Sequence, residues 1–229
     1  QSFIQSCNRT FAQLATDLME VDSNLLEEYA EKLGIIGPIG WKGDIFQYES
    51  FQQFPQEEKG TVWGGEDIKE DPHLVRNSAI GQQNVRTTPM AVANTMATIA
   101  SLGIQKEVRG VTKIEYQNEA VMTEFEEKNI KQSLNPYSLS RLQQLLAQVT
   151  ENEKGTGYFL NGLKIAGKSG TAEVGDEKQQ KHHYWFAGYF PHDQPKYALV
   201  VVDLNNEKGQ TNIYKIYREV VEYIYESES

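Results

Sequence analysis

The stretch Gly167-Lys168-Ser169-Gly170-Thr171-Ala172-Glu173 decides the fold, because an apolar segment precedes it and an aromatic segment follows it. We predict that residues 163–166 begin a strand and that Gly170 lets another backbone approach that strand closely. Lys168 then projects a cation beside two hydroxyl side chains, which is the equipment needed to hold a carboxylate. A surface strand with a solvated lysine is the alternative interpretation of these residues on their own.

The sequence around this stretch predicts an antiparallel sheet. Three consecutive strands, joined by turns, are predicted at residues 163–174, 183–190 and 197–204. Residues 214–225 follow as a helix, whose predicted apolar face consists of Ile216, Val220 and Ile224.

The first part of the chain is predicted to be mainly helical. Residues 6–19 carry apolar side chains at helical spacing, which indicates an amphipathic helix. A second helix follows, with its stop at Gly34 and a predicted buried face of Leu25, Leu26, Tyr29 and Leu33. Residues 37–71 show no sustained period and are predicted to form loops and short strands.

Two further helices are predicted in the middle of the chain. Thr87-Thr88-Pro89 starts a helix that runs to about Leu102 and stops at Gly103. The second covers 138–149, with a predicted inward face of Leu139, Leu142, Leu145 and Leu146. Residues 108–121 alternate like a hairpin. Helices followed by antiparallel strands indicate an α+β architecture, and we interpret 1–229 as part of a single domain.

Composition excludes several classes of function. The 229 residues carry a net charge of −10, which argues against nucleic-acid binding because that needs a basic stripe. No apolar run approaches the roughly 20 residues of a membrane span, and no signal-like segment opens the chain, but neither absence excludes a membrane-anchored or exported protein. The single cysteine, Cys7, rules out an internal disulfide framework, and we predict a small buried apolar side chain.

A second motif lies far upstream of the lysine. Ser6-Cys7-Asn8 precedes Lys168 by 162 positions, counted from its serine. Penicillin-binding proteins and class A β-lactamases carry Ser-x-x-Lys, then Ser-Asp-Asn, then Lys-Thr-Gly. In this chain Ser169 stands in place of that threonine and keeps the hydroxyl. The chain resembles this family through its Ser-Cys-Asn and Lys-Ser-Gly-Thr sequences, which stand in the family's order.

The surrounding residues extend the resemblance. The segment from Phe3 to Phe11 is similar to the one that surrounds the family's second motif. The family also has a Gly-Gln pair followed by a helix that starts at Thr-Pro, and this chain has similar residues at 80–82 and 87–93. Gly155-Thr156-Gly157 before the lysine and 185–189 after it complete the pattern. The likeness covers nearly the whole chain and is weakest over 41–71. The chain is identified as a member of the penicillin-binding transpeptidases.

The nucleophile of the family is missing from the sequence. No serine in the chain has a lysine three positions later, and little sequence precedes Ser6. We therefore expect this polypeptide to be the C-terminal portion of a transpeptidase domain that begins after the Ser-x-x-Lys motif. The resemblance implies an antiparallel sheet of about five strands with helices on both sides, of the β-lactamase/transpeptidase type.

The resemblance also implies a reaction. A serine attacks the D-Ala-D-Ala amide of a peptidoglycan stem peptide, and the amine of a second stem peptide resolves the acyl-enzyme into a crosslink. β-lactams bind the complete site. Ser6 is expected to relay a proton, Asn8 to orient the substrate carbonyl and the missing lysine, and Lys168 to add positive potential. No cofactor is expected.

The remaining roles concern substrate binding. The Ser169 and Thr171 hydroxyls are expected to hold the substrate carboxylate, and the Thr171 N–H to supply half of an oxyanion hole. Gly170 keeps the strand clear of the substrate. His182, His183 and His192 lack carboxylate partners at ligand spacing, so no metal site is expected.

The expected partners and location follow from the same resemblance. Residues 198–202 would form an unpaired apolar edge without the family's upstream strands, so we expect aggregation, dimerisation, or pairing with the missing segment. The protein is expected at the extracytoplasmic face of a bacterial membrane, anchored through that segment. A non-catalytic penicillin-binding-like sensor, and a D,D-carboxypeptidase or β-lactamase, are the alternative functions.

Overall fold

The computed structural model describes residues 1–46, 48–63, 71–82, 85–132, 134–174, 181–207 and 209–228. The helices are α1 (Asn8–Val21), α2 (Leu25–Lys32), α3 (Pro72–Ala79), α4 (Pro89–Ala100), α5 (Pro136–Glu151) and α6 (Ile213–Ser227), with a short 3-10 helix at Tyr158–Leu160. The strands are β1 (Lys42–Ile45), β2 (Tyr48–Gln52), β3 (Ile104–Lys106), β4 (Lys113–Glu115), β5 (Val121–Glu124), β6 (Asn129–Gln132), β7 (Ala166–Val174), β8 (Lys181–Phe190) and β9 (Tyr197–Glu207).

The central sheet has the order β7-β8-β9 and is antiparallel throughout. This confirms the predicted antiparallel strand order and the α+β class, while the turn predicted between the first two strands falls on residues 175–180, outside the described residues. Successive side chains of a strand point to opposite faces, so Phe186 of β8 faces α6 while Ala187 faces α4 and α5. Lys168 pairs with Ala187 and shares its face, whereas Ser169 pairs with Phe186 and shares the other.

Both faces of the sheet are covered by buried apolar side chains. The cluster beneath α6 contains Leu160, Ile165, Tyr184, Phe186, Phe190, Ile213, Tyr217 and Val221. The cluster beneath α4 and α5 contains Met96, Ile99, Leu139, Leu146, Ala166, Ala187 and Tyr189. Burial of a large apolar side chain stabilises a fold by about 1.5–3 kcal/mol, so these clusters fix the sheet that carries the lysine motif.

Two helices start as their sequences predict. The Thr88 side chain accepts a hydrogen bond from the Ala91 N–H at 3.1 Å, and Pro89 occupies the first turn of α4. Asn135 caps α5 in the same way, through the N–H of Tyr137. An N-cap of this kind contributes about 1 kcal/mol. The chain leaves α4 through Gly103, at φ +98°, a conformation that glycine adopts without strain.

Three predicted burial patterns are wrong in part, although Leu139 and Leu146 of α5 are buried as predicted. Leu145 of α5 is 41% exposed, and Tyr29 of α2 is 47% exposed. In α6 the fully buried residues are Ile213, Tyr217 and Val221, while Ile216 is 45% exposed. The predicted apolar face starts at Ile216 and lies beside the face that is buried against the sheet. The two faces were confused because apolar residues of α6 cover more of the helix surface than the sheet contacts.

Among the described residues, three two-stranded ribbons lie outside the sheet. They pair β1 with β2, β3 with β6, and β4 with β5, all antiparallel. The short strands expected in 37–71 are β1 and β2, and residues 47 and 64–70 of that prediction lie outside the described residues. The hairpin predicted over 108–121 is the β4–β5 pair, which lies a few residues later. None of the helices in the described ranges has the length and apolar character needed to cross a bilayer.

Candidate active site

The two motifs meet between α1 and β7. The Lys168 Nζ donates a hydrogen bond to the Ser6 Oγ at 2.7 Å, although 162 positions separate the two residues. Lys168 is the third residue of β7, and Ser6 lies just before α1. The structure thus brings together the two residues that the sequence placed at the centre of the site.

A tight turn before α1 presents Ser6. Its backbone has φ +52°, in the left-handed region that non-glycine residues rarely adopt. The turn is closed by hydrogen bonds from the Cys7 N–H to the Ser2 carbonyl and from the Ser6 N–H to the Phe3 carbonyl, at 2.9 and 3.1 Å. Strained backbone of this kind persists only where its surroundings hold it, and here it aims the hydroxyl at β7.

The ammonium of Lys168 lies in a largely buried environment. Burial disfavours the charged form and lowers the pKa of Lys168 to about 8. The same Nζ donates a second hydrogen bond to the Ser169 carbonyl at 2.8 Å and lies 3.5 Å from the Ser169 Oγ. Lys168 remains mainly protonated at neutral pH, and a deprotonated fraction becomes substantial near pH 8.

The outer edge of β7 faces the same space. Within the described strands β7 pairs only with β8, and the carbonyls of Ser169 and Thr171 accept hydrogen bonds from side chains instead of a strand. In an antiparallel strand the N–H and C=O of one residue point to the same side. The Thr171 N–H therefore also points to this outer edge and is placed to donate to a bound group.

Ser169 contacts Thr156, a residue outside the predicted site. Its Oγ donates a hydrogen bond to the Thr156 Oγ1 at 2.8 Å. Thr156 precedes the 3-10 helix, and its N–H donates to the Ile4 carbonyl at 3.0 Å, which ties the Ser6 turn to the same segment. The Gly155-Thr156-Gly157 sequence carried part of the family resemblance, and this was the one signal that could have marked Thr156.

The other predicted site residues lie close in sequence to these contacts. Asn8 is the first residue of α1 and is exposed, with its side chain making no hydrogen bond to the residues described. Thr171 is exposed on β7, on the face opposite Lys168. Gly170 pairs with Trp185, so the cleft side of the strand carries no side chain at that position. The cation and the hydroxyls project to opposite faces and converge only at the edge.

Cys7 differs from its prediction. Its side chain is half-buried and not fully buried, because it occupies the N-cap position of α1, at the end of the turn. A hydrogen bond with Thr10 holds the pKa of its thiol below the ordinary value. The thiol is a neighbour of the two motif residues and has no assigned role.

The histidines have partners of their own. The Nε2 of His192 lies 2.8 Å from a Glu151 carboxylate oxygen, and the Nδ1 of His183 accepts a hydrogen bond from the Asn205 N–H at 3.0 Å. His182 is buried in β8. In the portion of the chain that the structure describes, no group of three metal-ligating side chains comes together.

The site can hold an anion and move a proton. Lys168 and the Ser169 hydroxyl can bind a carboxylate, while Ser6, bonded to the ammonium, can pass a proton to a bound group. The Thr171 N–H adds a donor in a fixed strand. The sequence offers no Ser-x-x-Lys nucleophile beside them.

Comparisons with known proteins agree with this geometry. The family model described as "Penicillin binding protein transpeptidase domain" matches residues 1–225. The peptidoglycan D,D-transpeptidase PbpA of Mycobacterium tuberculosis is 26% identical over 205 residues, covering 88% of this chain and 38% of PbpA. The chain therefore spans well under half the length of that relative.

Solved structures match over almost the entire chain. The penicillin G acyl-enzyme complex of penicillin-binding protein A from M. tuberculosis has a TM-score of 0.78 and 25% identity, covering 98% of this chain and 47% of that one. Penicillin-binding protein 2B of Streptococcus pneumoniae, at 23% identity, shares the fold with a TM-score of 0.80 and covers 100% of this chain and 39% of its own. A family match across the lysine motif and the serine turn, together with these folds, shows that the chain belongs to the penicillin-binding protein transpeptidase family.

Proposed function

We propose that residues 1–229 form the C-terminal portion of a peptidoglycan D,D-transpeptidase domain and provide the wall of its active site that binds substrate and relays protons. The hydrogen bond between Lys168 and Ser6 carries this proposal, because it joins two motifs of one family into a single polar centre. The nucleophile would come from a Ser-x-x-Lys sequence outside these residues.

The proposed reaction has two steps. The hydroxyl oxygen of that serine attacks the carbonyl carbon between the last two D-alanines, and the free terminal D-alanine leaves with a proton on its nitrogen. Ser6 is placed to pass that proton, since its hydroxyl is already bonded to the Lys168 ammonium. The amine of a second stem peptide then attacks the acyl ester, which releases the serine and forms the crosslink.

Lys168 acts in two ways in this scheme. Its positive charge attracts the terminal carboxylate of the stem peptide, together with the hydroxyls of Ser169 and Thr171. The same charge favours the neutral form of a nearby lysine in the missing motif, because like charges oppose one another's protonation. Asn8 would orient the substrate carbonyl and that lysine from the start of α1.

The Thr171 N–H would supply half of the oxyanion hole. The oxyanion of the tetrahedral intermediate needs donors fixed before the reaction begins, and the N–H of a strand packed between two helical layers meets this requirement. Gly170 would let the substrate backbone approach the strand without a side chain in its path.

The relatives support the proposed ligands. The M. tuberculosis homologue forms an acyl-enzyme with penicillin G, and we infer that the longer protein to which this chain belongs binds β-lactams at the same wall. Its substrate would be peptidoglycan, as for PbpA. It would then act on the extracytoplasmic side of a membrane, anchored by sequence outside these residues.

The edge of β9 is where we expect the rest of the domain to pack. In the described part of the chain β9 pairs only with β8, and its residues 197–203 are half-buried. A cavity of about 180 Å³ lies between α4 and β9, and the Tyr189 hydroxyl is buried without a partner among the described residues. A strand added to β9 would cover this edge.

A crosslinking assay tests the proposed reaction. The longer protein, mixed with a D-Ala-D-Ala pentapeptide donor and a labelled D-amino-acid acceptor, is expected to yield the exchanged peptide. Lys168→Gln should reduce exchange by a factor of 100 or more, on the order of one lost catalytic donor. Lys164→Gln, which removes an exposed ion pair with Asp193, is the matched control and should retain activity. Hydrolysis of the donor without exchange would indicate a carboxypeptidase. Absence of both the hydrolysed and the exchanged peptide would indicate a non-catalytic sensor.

A further inference from the structure

One hydrogen bond across the cleft takes no part in the proposed reaction. The side-chain Nε2 of Gln82 donates a hydrogen bond to the Thr171 carbonyl at 3.3 Å, across 89 positions of sequence. That carbonyl lies on the unpaired edge of β7, beside the N–H expected to form the oxyanion hole. Gln82 belongs to the Gly-Gln sequence that carried part of the family resemblance, but we had given it no role.

The end of α3 fixes the position of Gln82. The Gly81 N–H donates to the Ser78 carbonyl at 3.0 Å, and the Gln82 N–H donates to the Asn77 carbonyl at 2.9 Å. This double hydrogen bond, with Gly81 at φ +79°, is the Schellman arrangement that ends many helices. It reverses the chain at Gly81 and directs the next side chain toward β7.

The helix that presents Gln82 also contacts the opposite wall of the site. α3 packs against α1, and the Arg76 Nε donates to the Thr16 Oγ1 at 3.3 Å. α1 follows directly from the turn that carries Ser6. Gln82 therefore spans the cleft between the wall that holds the relay serine and the strand that holds the lysine.

The amide of Gln82 lies where a peptide strand would add. An extended peptide binds a free sheet edge through its own N–H groups, donated to the outward carbonyls of that edge. Neighbouring strands lie about 4.8 Å apart, so the N–H of an added peptide would occupy the position that the Gln82 Nε2 holds. Gln82 imitates the first hydrogen bond of a docked peptide and blocks it.

We propose that Gln82 is a gate on the β7 edge that the backbone of the acyl-donor peptide, or a β-lactam with an amide N–H in its side chain, must displace from the Thr171 carbonyl. This inference rests on the proposed function, and deepens it by naming a specificity-determining residue. Covering an unpaired edge with a side chain also protects it from pairing with other strands.

Acylation rates of the longer protein test the gate. Penicillin G has an amide N–H in its side chain, whereas imipenem has a hydroxyethyl group there. Gln82→Met keeps the volume and removes the donor, so the second-order rate constant with penicillin G should rise about three- to tenfold, the worth of one neutral hydrogen bond. The rate with imipenem should change less than twofold. Gln194→Met, on the exposed turn before β9, should alter neither rate.

An equal change of the rate constant with both β-lactams, or a lower rate constant with penicillin G, would overturn the gate and leave Gln82 with a purely structural role.

A second measurement does not depend on acylation. When diacetyl-Lys-D-Ala-D-Ala is titrated into the same protein, the NMR signals of the Gln82 side-chain amide should shift together with the Thr171 N–H. A Thr171 shift with an unmoved Gln82 amide would equally refute the gate. Failure of acylation by both drugs in the wild type would refute the proposed function, while the titration would still decide the gate.

Discussion

At the scale of single residues, the proposed site has the cation of Lys168 at its centre. Its burial and its bonds to the Ser6 hydroxyl and the Ser169 carbonyl place one titrating cation among neutral acceptors. The sequence predicted the importance of Ser6 and Lys168 through the two motifs. It did not predict Thr156 or Gln82 as site residues, because their contacts join distant segments and follow no helical or strand period.

The first prediction concerns the pKa of Lys168. Because the folded-state pKa is lowered to about 8, the charge is present below pH 8 and is lost as pH rises through that value. Acylation by penicillin G should therefore decline above about pH 8, and the 13Cε signal of Lys168 should titrate there. Lys168→Gln removes the signal and assigns it. A titration near the ordinary lysine value of about 10.4 would contradict this account.

The second prediction concerns the hydroxyl pair of Ser169 and Thr156. Both single variants, Ser169→Ala and Thr156→Val, lose the same 2.8 Å hydrogen bond. Their effects on the free energy of unfolding in urea should therefore be non-additive by about 1 kcal/mol. Additive effects would show that the two hydroxyls do not depend on each other.

At the scale of elements, the sheet around the lysine motif was predictable and the ribbons were not. The three segments predicted as consecutive strands are β7, β8 and β9, and they pair in the predicted antiparallel order. The ribbon strands have three to five residues each, too short for alternation to define their bounds. The burial of α6 was misjudged because apolar residues cover two adjacent faces.

The third prediction compares two glycines of β7. A Cβ at Gly167 would lie 2.8 Å from the Ala187 carbonyl oxygen and from the Phe186 ring, whereas one at Gly170 would lie 3.4 Å from the Trp185 Cβ. Gly167→Ala should cost about 1–3 kcal/mol of stability by overpacking, and Gly170→Ala less than about 0.5 kcal/mol.

The same pair separates packing from substrate binding. Gly170→Ala should still reduce acylation of the longer protein, since its methyl group would stand beside the docked substrate. Calorimetric melting and acylation rates of both variants provide the measurement. A Gly170→Ala variant with normal acylation would remove Gly170 from the binding site.

At the scale of the whole molecule, the sheet has two edges of different character. Side chains of Gln82 and Lys168 cover the outer carbonyls of β7. The outer edge of β9 pairs with none of the described strands and adjoins the cavity beneath α4. The resemblance predicted that an upstream strand belongs there, and this stays a prediction.

The fourth prediction follows from the β9 edge. The 229-residue chain on its own should self-associate, with a mass above the 26.0 kDa of one copy in light scattering. Leu204 on β9 is 58% exposed, and Leu204→Lys should reduce the association because a charge on an edge strand opposes pairing. Glu219→Lys, on the exposed surface of α6, is the control for an added positive charge. A monodisperse wild-type monomer would contradict the prediction.

The central claim is that this chain supplies the binding and relay wall while the nucleophile lies elsewhere. Mass spectrometry of peptides after penicillin labelling of the longer protein tests it most directly. The account predicts one penicilloyl adduct, on the serine of a Ser-x-x-Lys sequence outside residues 1–229, and no adduct on the 229-residue chain alone. An adduct on Ser6, Ser169 or any other residue of 1–229 would contradict it.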